Sequence, residues 1–139
     1  MSTPDVTGVL ETCLYADDLE RTERFYENVL GFRKLDGDNR FSAHSVADRQ
    51  VLLLFKRGGT LEPIALPGGI IPPHDGFGTL HLAFSIAAAE LPAWEKHLAA
   101  NGIAIESKVS WPRGGWSLYF RDPEQHLVEL VTPGCWPIY

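Results

Sequence analysis

The sequence predicts an α+β protein made of two tandem βαβββ modules, which form a curved, cup-like mixed sheet with the helices outside. Each half of the chain contains one strand pattern, one amphipathic helix pattern and three further strand patterns. A segment rich in glycine and proline separates the halves. The length of 139 residues, 45% of them hydrophobic, suits one packed domain. We therefore predict a single domain over residues 1–139, with module one at about 7–57, a linker at 58–78 and module two at 79–133.

The first module begins with a strand pattern over residues 8–16. Asp17 or Asp18 can then cap a helix, because an aspartate side chain accepts from the unpaired N–H groups of the first turn. Gly31 stands where a helix ends in a left-handed residue. The apolar face of this helix consists of Leu19, Phe25, Tyr26, Val29 and Leu30. Three strand patterns follow at residues 32–35, 40–45 and 50–56.

The second module repeats this order, starting with a strand pattern over residues 79–86. Pro92 is compatible with the first turn of the next helix, and Gly102 is its predicted terminator. The apolar stripe of this helix consists of Leu91, Trp94, Leu98 and Ala99. Strand patterns follow at residues 103–108, 116–120 and 126–132. The repeat is a duplication rather than a solenoid, since two copies do not form a continuous array.

Composition excludes several classes of partner. The formal net charge of -6 argues against binding nucleic acid or an anionic membrane surface, both of which require lysine and arginine. Cys13 and Cys135 fit neither a disulfide scaffold nor a zinc finger. No signal-peptide pattern and no apolar run of about 18 residues is present. We expect a soluble, cytoplasmic protein with a small-molecule substrate.

Three ionisable residues stand in strand patterns where apolar residues are usual: Glu11, His81 and Glu129. In the strand over residues 80–86, His81 alternates with large apolar residues and shares a face with Ala83 and Ser85. A carboxylate on an inner face costs several kcal/mol unless it is paired or binds a metal. Taken singly, Glu11 also fits an exposed or salt-bridged residue, His81 a hydrogen-bonded structural histidine, and Glu129 a partner of arginine. The duplicated fold favours one divalent-metal site with Mn, Fe, Co, Ni or Zn.

The chain resembles the vicinal oxygen chelate superfamily in three segments. These are residues 14–32 (LYADDLERTERFYENVLGF), 80–86 (LHLAFSI) and 117–130 (SLYFRDPEQHLVEL). That superfamily includes glyoxalase I, fosfomycin-resistance proteins, extradiol dioxygenases and metal-free bleomycin-resistance proteins. The resemblance places the family's metal ligands on Glu11, His81 and Glu129. Glyoxalase-type members add a glutamate in the last strand of the first half, where we assign the hydrophobic Leu54. Fosfomycin-resistance and extradiol members usually have histidine where this chain has Glu11.

The resemblance implies a homodimeric metalloenzyme acting on a small oxygenated substrate. The expected chemistry is that of a lyase, an isomerase or a thiol or water transferase, with the metal as Lewis acid toward an oxyanion. Glu11 or Glu129 is a candidate general base. Tyr119, in a fosfomycin-type Ser-x-Tyr-Phe run, is a candidate donor to the substrate oxygen or else a packed rim residue. The candidate substrate contacts are Ser117, Trp111, Arg113, Trp116 and His74, although the two tryptophans also fit a surface hairpin.

Two alternative functions remain open at this stage. An iron-dependent extradiol-type dioxygenase would use the same three ligands and leave positions open for oxygen. A metal-free drug-binding protein of the bleomycin-resistance type would instead have arginines paired with Glu11 and Glu129. The residues alone do not reveal the substrate, the metal, or whether the ligands come from one chain or two.

Overall fold

The two halves of the chain form the same kind of sheet twice, as the repeat predicts. The computed structural model describes residues 2–139 and separates them into two units, the first ending at Gly76 and the second running from Phe77 to Tyr139. The first unit contains β1 (Glu11–Ala16), α1 (Leu19–Asn28), β2 (Arg33–Gly37), β3 (Phe41–Val46), β4 (Gln50–Lys56), β5 (Ile64–Leu66) and β6 (Gly69–Ile71). The second contains β7 (His81–Ser85), a 3-10 turn (Ala88–Glu90), α2 (Leu91–Ala100), β8 (Ser107–Ser110), β9 (Trp116–Arg121) and β10 (Leu127–Val131). The predicted α+β class is confirmed. Within residues 2–139, no helix has the length and apolar character needed to cross a membrane.

Strand order and register are equivalent in the two sheets. The first has the order β1-β4-β3-β2 and the second β7-β10-β9-β8. In each, the pair formed by the first and last strands is parallel and the other pairs are antiparallel. Cys13 lies opposite Leu53 in the first sheet, and Ala83 lies opposite Glu129 in the second. Leu53 therefore occupies the position in the first sheet that Glu129 occupies in the second.

This register corrects one residue assignment. Leu54 is fully buried and lies opposite the buried Leu14, on the other face of the sheet from Glu11. The β4 residue on the face of Glu11 and Cys13 is Leu53. The position remains hydrophobic, as the sequence indicates, but the assignment to Leu54 was wrong by one residue.

The caps of α1 follow from the sequence. Asp18 is the N-cap, and its Oδ1 accepts from the backbone N–H of Arg21 at 3.1 Å. The other candidate, Asp17, forms an ion pair with Arg57 instead. Gly31 has φ +73°, a conformation that glycine adopts without a steric penalty, and it directs the chain out of the helix toward β2.

Two strand boundaries differ from the sequence prediction for identifiable reasons. The first strand begins at Glu11 rather than at residue 8, because the partner strand β4 begins only at Gln50. The strand predicted over residues 103–108 begins at Ser107, since the N–H of Ile103 closes the end of α2 on the carbonyl of Leu98. The linker also contains the hairpin β5–β6, which its glycine-rich composition did not indicate.

Candidate metal-binding site

The imidazole of His81 is held in one tautomer. His81 is the first residue of β7, and its Nδ1 lies 2.9 Å from the carbonyl oxygen of Leu127 in the parallel neighbour β10. A carbonyl oxygen only accepts, so Nδ1 must carry a proton and donate. In the neutral ring the lone pair is then on Nε2, which is the arrangement found in metal-binding histidines.

The carboxylate of Glu129 is buried and held by a short chain of donors. Glu129 is only 6% exposed. The Ser117 hydroxyl donates to its Oε2 at 2.5 Å, and the indole N–H of Trp111 donates to the Ser117 oxygen at 2.8 Å. This relay satisfies one carboxylate oxygen and leaves Oε1 directed at His81.

His81 and Glu129 form a close pair that is the candidate site for a cation. Nε2 of His81 lies 3.3 Å from Oε1 of Glu129. Because Nδ1 carries the ring proton, Nε2 of a neutral His81 and Oε1 of Glu129 are both acceptors, and they do not form a hydrogen bond with each other. A cation, either a proton on Nε2 or a metal ion, makes this contact favourable. One imidazole nitrogen and one carboxylate oxygen suit a divalent transition metal or zinc.

Tyr119 lies directly beside this pair. It is opposite Glu129 in the antiparallel β9–β10 register, and its ring centroid is 6.3 Å from that of His81. Burial raises the pKa of the Tyr119 phenol, and the negative charge of Glu129 raises it further. The phenol therefore keeps its proton at neutral pH and can donate a hydrogen bond.

The structure directs one of the other predicted contacts, Trp116, away from this pair. Trp116 lies on the opposite face of β9 from Ser117, and its ring contacts the Lys108 ammonium at 5.0 Å. Trp111 and Trp116 therefore do not form one wall. Arg113 is exposed in the turn between β8 and β9.

Glu11 and His74 belong to the first unit, where both line a cavity of about 570 Å³. Glu11 is exposed, so the cost of burying a carboxylate applies to Glu129 and not to Glu11. Among residues 2–139, no group of three or more His, Cys, Asp or Glu side chains is positioned to hold a metal ion. A metal-free binding protein is expected to pair Glu11 and Glu129 with arginines. Among residues 2–139, neither carboxylate has an ion pair with an arginine.

His126 positions the start of β7 and was not identified as a functional residue from the sequence. It is fully buried, and its Nδ1 accepts from the backbone N–H of Leu80 at 2.8 Å. The backbone N–H of His126 donates to Oδ1 of Asp122 at 2.9 Å. His126 thereby fixes the residue before His81, a contact across 46 positions that no local pattern indicates.

Tyr15 is a second residue that the sequence analysis did not identify. It is buried in the first unit, and its phenol oxygen lies 2.7 Å from Nδ1 of His74. Burial raises the pKa of Tyr15 to about 12, with a further contribution from the hydrogen bond of the Cys13 thiol. The phenol is therefore protonated at neutral pH and forms a hydrogen bond with Nδ1 of His74.

We expect Tyr15 to give an ionisation step near pH 12 when the protein's tyrosines are titrated by ultraviolet absorbance. The unfolded phenol ionises at about pH 10, so the contribution of Tyr15 to stability is complete below that pH. It is lost as the pH rises from there toward about 12. The control is Tyr15→Phe, which should lack this step. A Tyr15→Phe titration that keeps the step near pH 12 at full amplitude would contradict the assignment.

Comparison with known proteins gives one family. The model of the Glyoxalase/Bleomycin resistance protein/Dioxygenase superfamily matches residues 8–130. The metallothiol transferase FosB of Staphylococcus epidermidis is 26% identical over 129 residues, which are 92% of this chain and 83% of that protein. FosB of Bacillus licheniformis is 40% identical over 60 residues, which are 42% of this chain but only 38% of that protein. The crystal structure of a lactoylglutathione lyase from Agrobacterium tumefaciens has a TM-score of 0.88 and 31% identity, covering 97% of this chain and 100% of that one.

Proposed function

Because the chain belongs to the Glyoxalase/Bleomycin resistance protein/Dioxygenase superfamily, we propose that it is a divalent-metal-dependent enzyme acting on a small oxygenated substrate. The observation that carries this proposal is the pair of facing acceptors, His81 Nε2 and Glu129 Oε1, 3.3 Å apart. A bound divalent ion supplies Lewis-acid chemistry, which stabilises negative charge on a substrate oxygen. Relatives described as a metallothiol transferase and a lactoylglutathione lyase favour thiol-transfer or lyase chemistry.

The ligand set consists of His81, Glu129 and Glu11. Glu129 is held by Ser117, which suits a fixed ligand. Glu11 is exposed and has no ion pair among residues 2–139, so its carboxylate is available as the third ligand and as the general base. The Tyr119 phenol donates to the substrate oxygen on which charge develops.

The remaining proposed residues act on the substrate or through Glu129. Ser117 and Trp111 orient the carboxylate and exclude water from its buried oxygen. Arg113 and His74 are proposed contacts for an anionic part of the substrate. The orientation of Trp116 toward Lys108 does not favour it as a substrate contact.

The experiment that tests the function combines metal analysis with activity. The purified protein is analysed for metal, stripped with EDTA, and reloaded separately with Mn, Zn, Ni, Co or Fe in the divalent state. Lactoylglutathione formation, thiol addition to fosfomycin and oxygen uptake on catechol are then measured. About one divalent ion per chain, with thiol or lyase activity restored by reloading, is the expected result. Oxygen uptake restored by iron alone would replace this function with the dioxygenase, and no binding of any ion would refute the metalloenzyme.

The contribution of Glu11 and the proposed homodimer are tested together. The variants Glu11→Gln and His81→Ala are each expected to bind metal poorly. In a dimer whose sites take Glu11 from one copy and His81 from the other, unfolding and refolding the two variants as a mixture restores part of the metal binding. Without recovery in the mixture, the ligands of each site come from one chain. Full metal binding by Glu11→Gln would remove Glu11 from the ligand set.

Ser117→Ala is expected to weaken metal binding by about 10- to 100-fold, because it removes the donor that orients the buried carboxylate of Glu129. The measurement is a competition titration with a coloured chelator. Ser110→Ala, which changes an exposed serine at the end of β8, is the matched control and should bind metal normally. Equal affinities in the two variants would show that the Ser117 hydroxyl does not orient the ligand.

A further inference from the structure

The cavity of the first unit has an apolar body. Its volume of about 570 Å³ lies within the range of roughly 300–1,000 Å³ that is typical of small-molecule sites. Leu53 and Phe55 of β4 form one part of its lining. The hairpin β5–β6 contributes Ile64 and Ile71, so the segment that follows β4 in the sequence builds part of this site.

The polar residues that line the cavity lie at two levels along β1. Glu11 lies opposite Val51 in the register, whereas Tyr15 lies opposite Phe55. These two levels are four positions apart in β1, or about 13 Å along the strand. Phe41 is opposite Phe55 on the other side, so Arg40 and Phe41 belong to the Tyr15 level. Glu11 therefore lies at one end of the cavity, and Arg40 lies at the end that also holds Tyr15.

Arg40 is a half-buried cation without an anionic partner. Its guanidinium carbon lies 5.7 Å from the ring centroid of Phe41. Within residues 2–139, no carboxylate lies within 4.0 Å of it. Arg24, Arg33, Arg57 and Arg121 all have such a partner. The other arginines of the described residues that lack one, Arg21, Arg49 and Arg113, are exposed, whereas Arg40 is half-buried. A guanidinium at the end of an apolar cavity is well placed to bind a planar anion.

His74 is fixed at the same level of the cavity. Its backbone N–H donates to the carbonyl of Thr60 at 3.0 Å, and the Thr60 hydroxyl donates to the carbonyl of His74. Its ring centroid lies 4.6 Å from that of Phe55. In the tautomer whose Nδ1 accepts from the Tyr15 phenol, the neutral ring carries its proton on Nε2 and can donate it to a ligand.

We propose that this cavity binds small organic anions with an aromatic body, holding a carboxylate with Arg40 and His74 and the ring against Leu53 and Phe55. This inference names the substrate class of the proposed enzyme. It rests on the proposed function in only one respect, which is the position of the reacting oxygens of the substrate. If Glu11 is a metal ligand, these oxygens lie at the Glu11 end of the cavity, about 13 Å along β1 from the level at which the ligand's carboxylate is held. The binding of the anion itself does not require the metal.

The test uses 2-naphthoate and its uncharged analogue 2-naphthamide, titrated by calorimetry into the protein with and without EDTA treatment. Naphthoate is expected to bind about tenfold or more tightly than the amide, because only the carboxylate forms charge-assisted hydrogen bonds with arginine. Arg40→Gln should abolish this preference. Arg49→Gln, which removes an equal charge from an exposed turn of the same unit, should retain it.

The results distinguish this proposal from the metalloenzyme. Naphthoate binding that survives EDTA and loses its preference in Arg40→Gln supports the cavity, even in a protein that binds no metal. Naphthoate that binds only to metal-loaded protein, independently of Arg40, overturns the inference and leaves the metal site in place. Absence of naphthoate binding also overturns the inference. An equal preference for naphthoate over naphthamide in Arg40→Gln and Arg49→Gln overturns it too.

Discussion

Replacing His81 with alanine, or Glu129 with glutamine, is expected to eliminate binding of the divalent ion that we propose for this site. Each change removes one of the two donor atoms that face each other at 3.3 Å. Loss of an outer partner of a ligand already costs about 10- to 100-fold in affinity, so loss of a ligand should cost more than about 100-fold. Metal content after dialysis and a chelator competition titration measure this effect.

Matched variants separate the loss of a ligand from the loss of a charge or a ring. His97→Ala changes an exposed histidine of α2, and Glu62→Gln changes an exposed glutamate before β5. Both should bind metal like the unmodified protein. If His81→Ala and Glu129→Gln also retained a full complement of metal, the ion would be bound elsewhere and the proposed site would be wrong.

Phe120→Ala is expected to lower the free energy of unfolding by about 3–5 kcal/mol. Phe120 lies in β9 between Tyr119 and Arg121, and its side chain is fully buried on the face opposite Ser117. Removing the ring eliminates its burial and leaves a cavity that the surrounding residues fill only partly. Urea denaturation, followed by circular dichroism, measures the change.

The control for this prediction is the same substitution at an exposed position. Phe77 is 89% exposed, so Phe77→Ala should change the free energy of unfolding by no more than about 0.5 kcal/mol. Equal effects at the two positions would mean that Phe120 does not pack in the core of the second unit. The same titrations should show that Phe77→Ala leaves the slope of the transition unchanged.

Local patterns in the sequence were sufficient for the two α-helices and for the strands of the two four-stranded sheets, but not for the hairpin β5–β6 or for every strand boundary. Alternation of apolar residues gave the strands, helical spacing gave α1 and α2, and Asp18 and Gly31 marked the ends of α1. The duplication then predicted the equivalence of β1 and β7, which the matching strand orders of the two sheets confirm. These features depend on residues a few positions apart, and their physical causes act within one turn or one strand.

Local sequence patterns predicted only some of the residues of the candidate site. His81 and Glu129 were identified as unusual strand residues, and the structure brings them together. The relay from Trp111 through Ser117 was not predicted as a relay, although both residues were candidates for substrate contacts. The sequence pattern did not indicate a functional role for Tyr15, since an aromatic residue in a strand is most often part of the core.

The sequence by itself determined the fold class, the repeated order of elements and the chemical types available for a site. Only the tertiary structure decided which residues share a face: Leu53 rather than Leu54, and Trp116 away from Trp111. It also decided that Glu129 is buried while Glu11 is exposed, and that Arg40 and His74 line one cavity. The physical reason is that register and burial depend on hydrogen bonds and packing between segments far apart in the chain, where a shift of one residue moves every side chain to the other face.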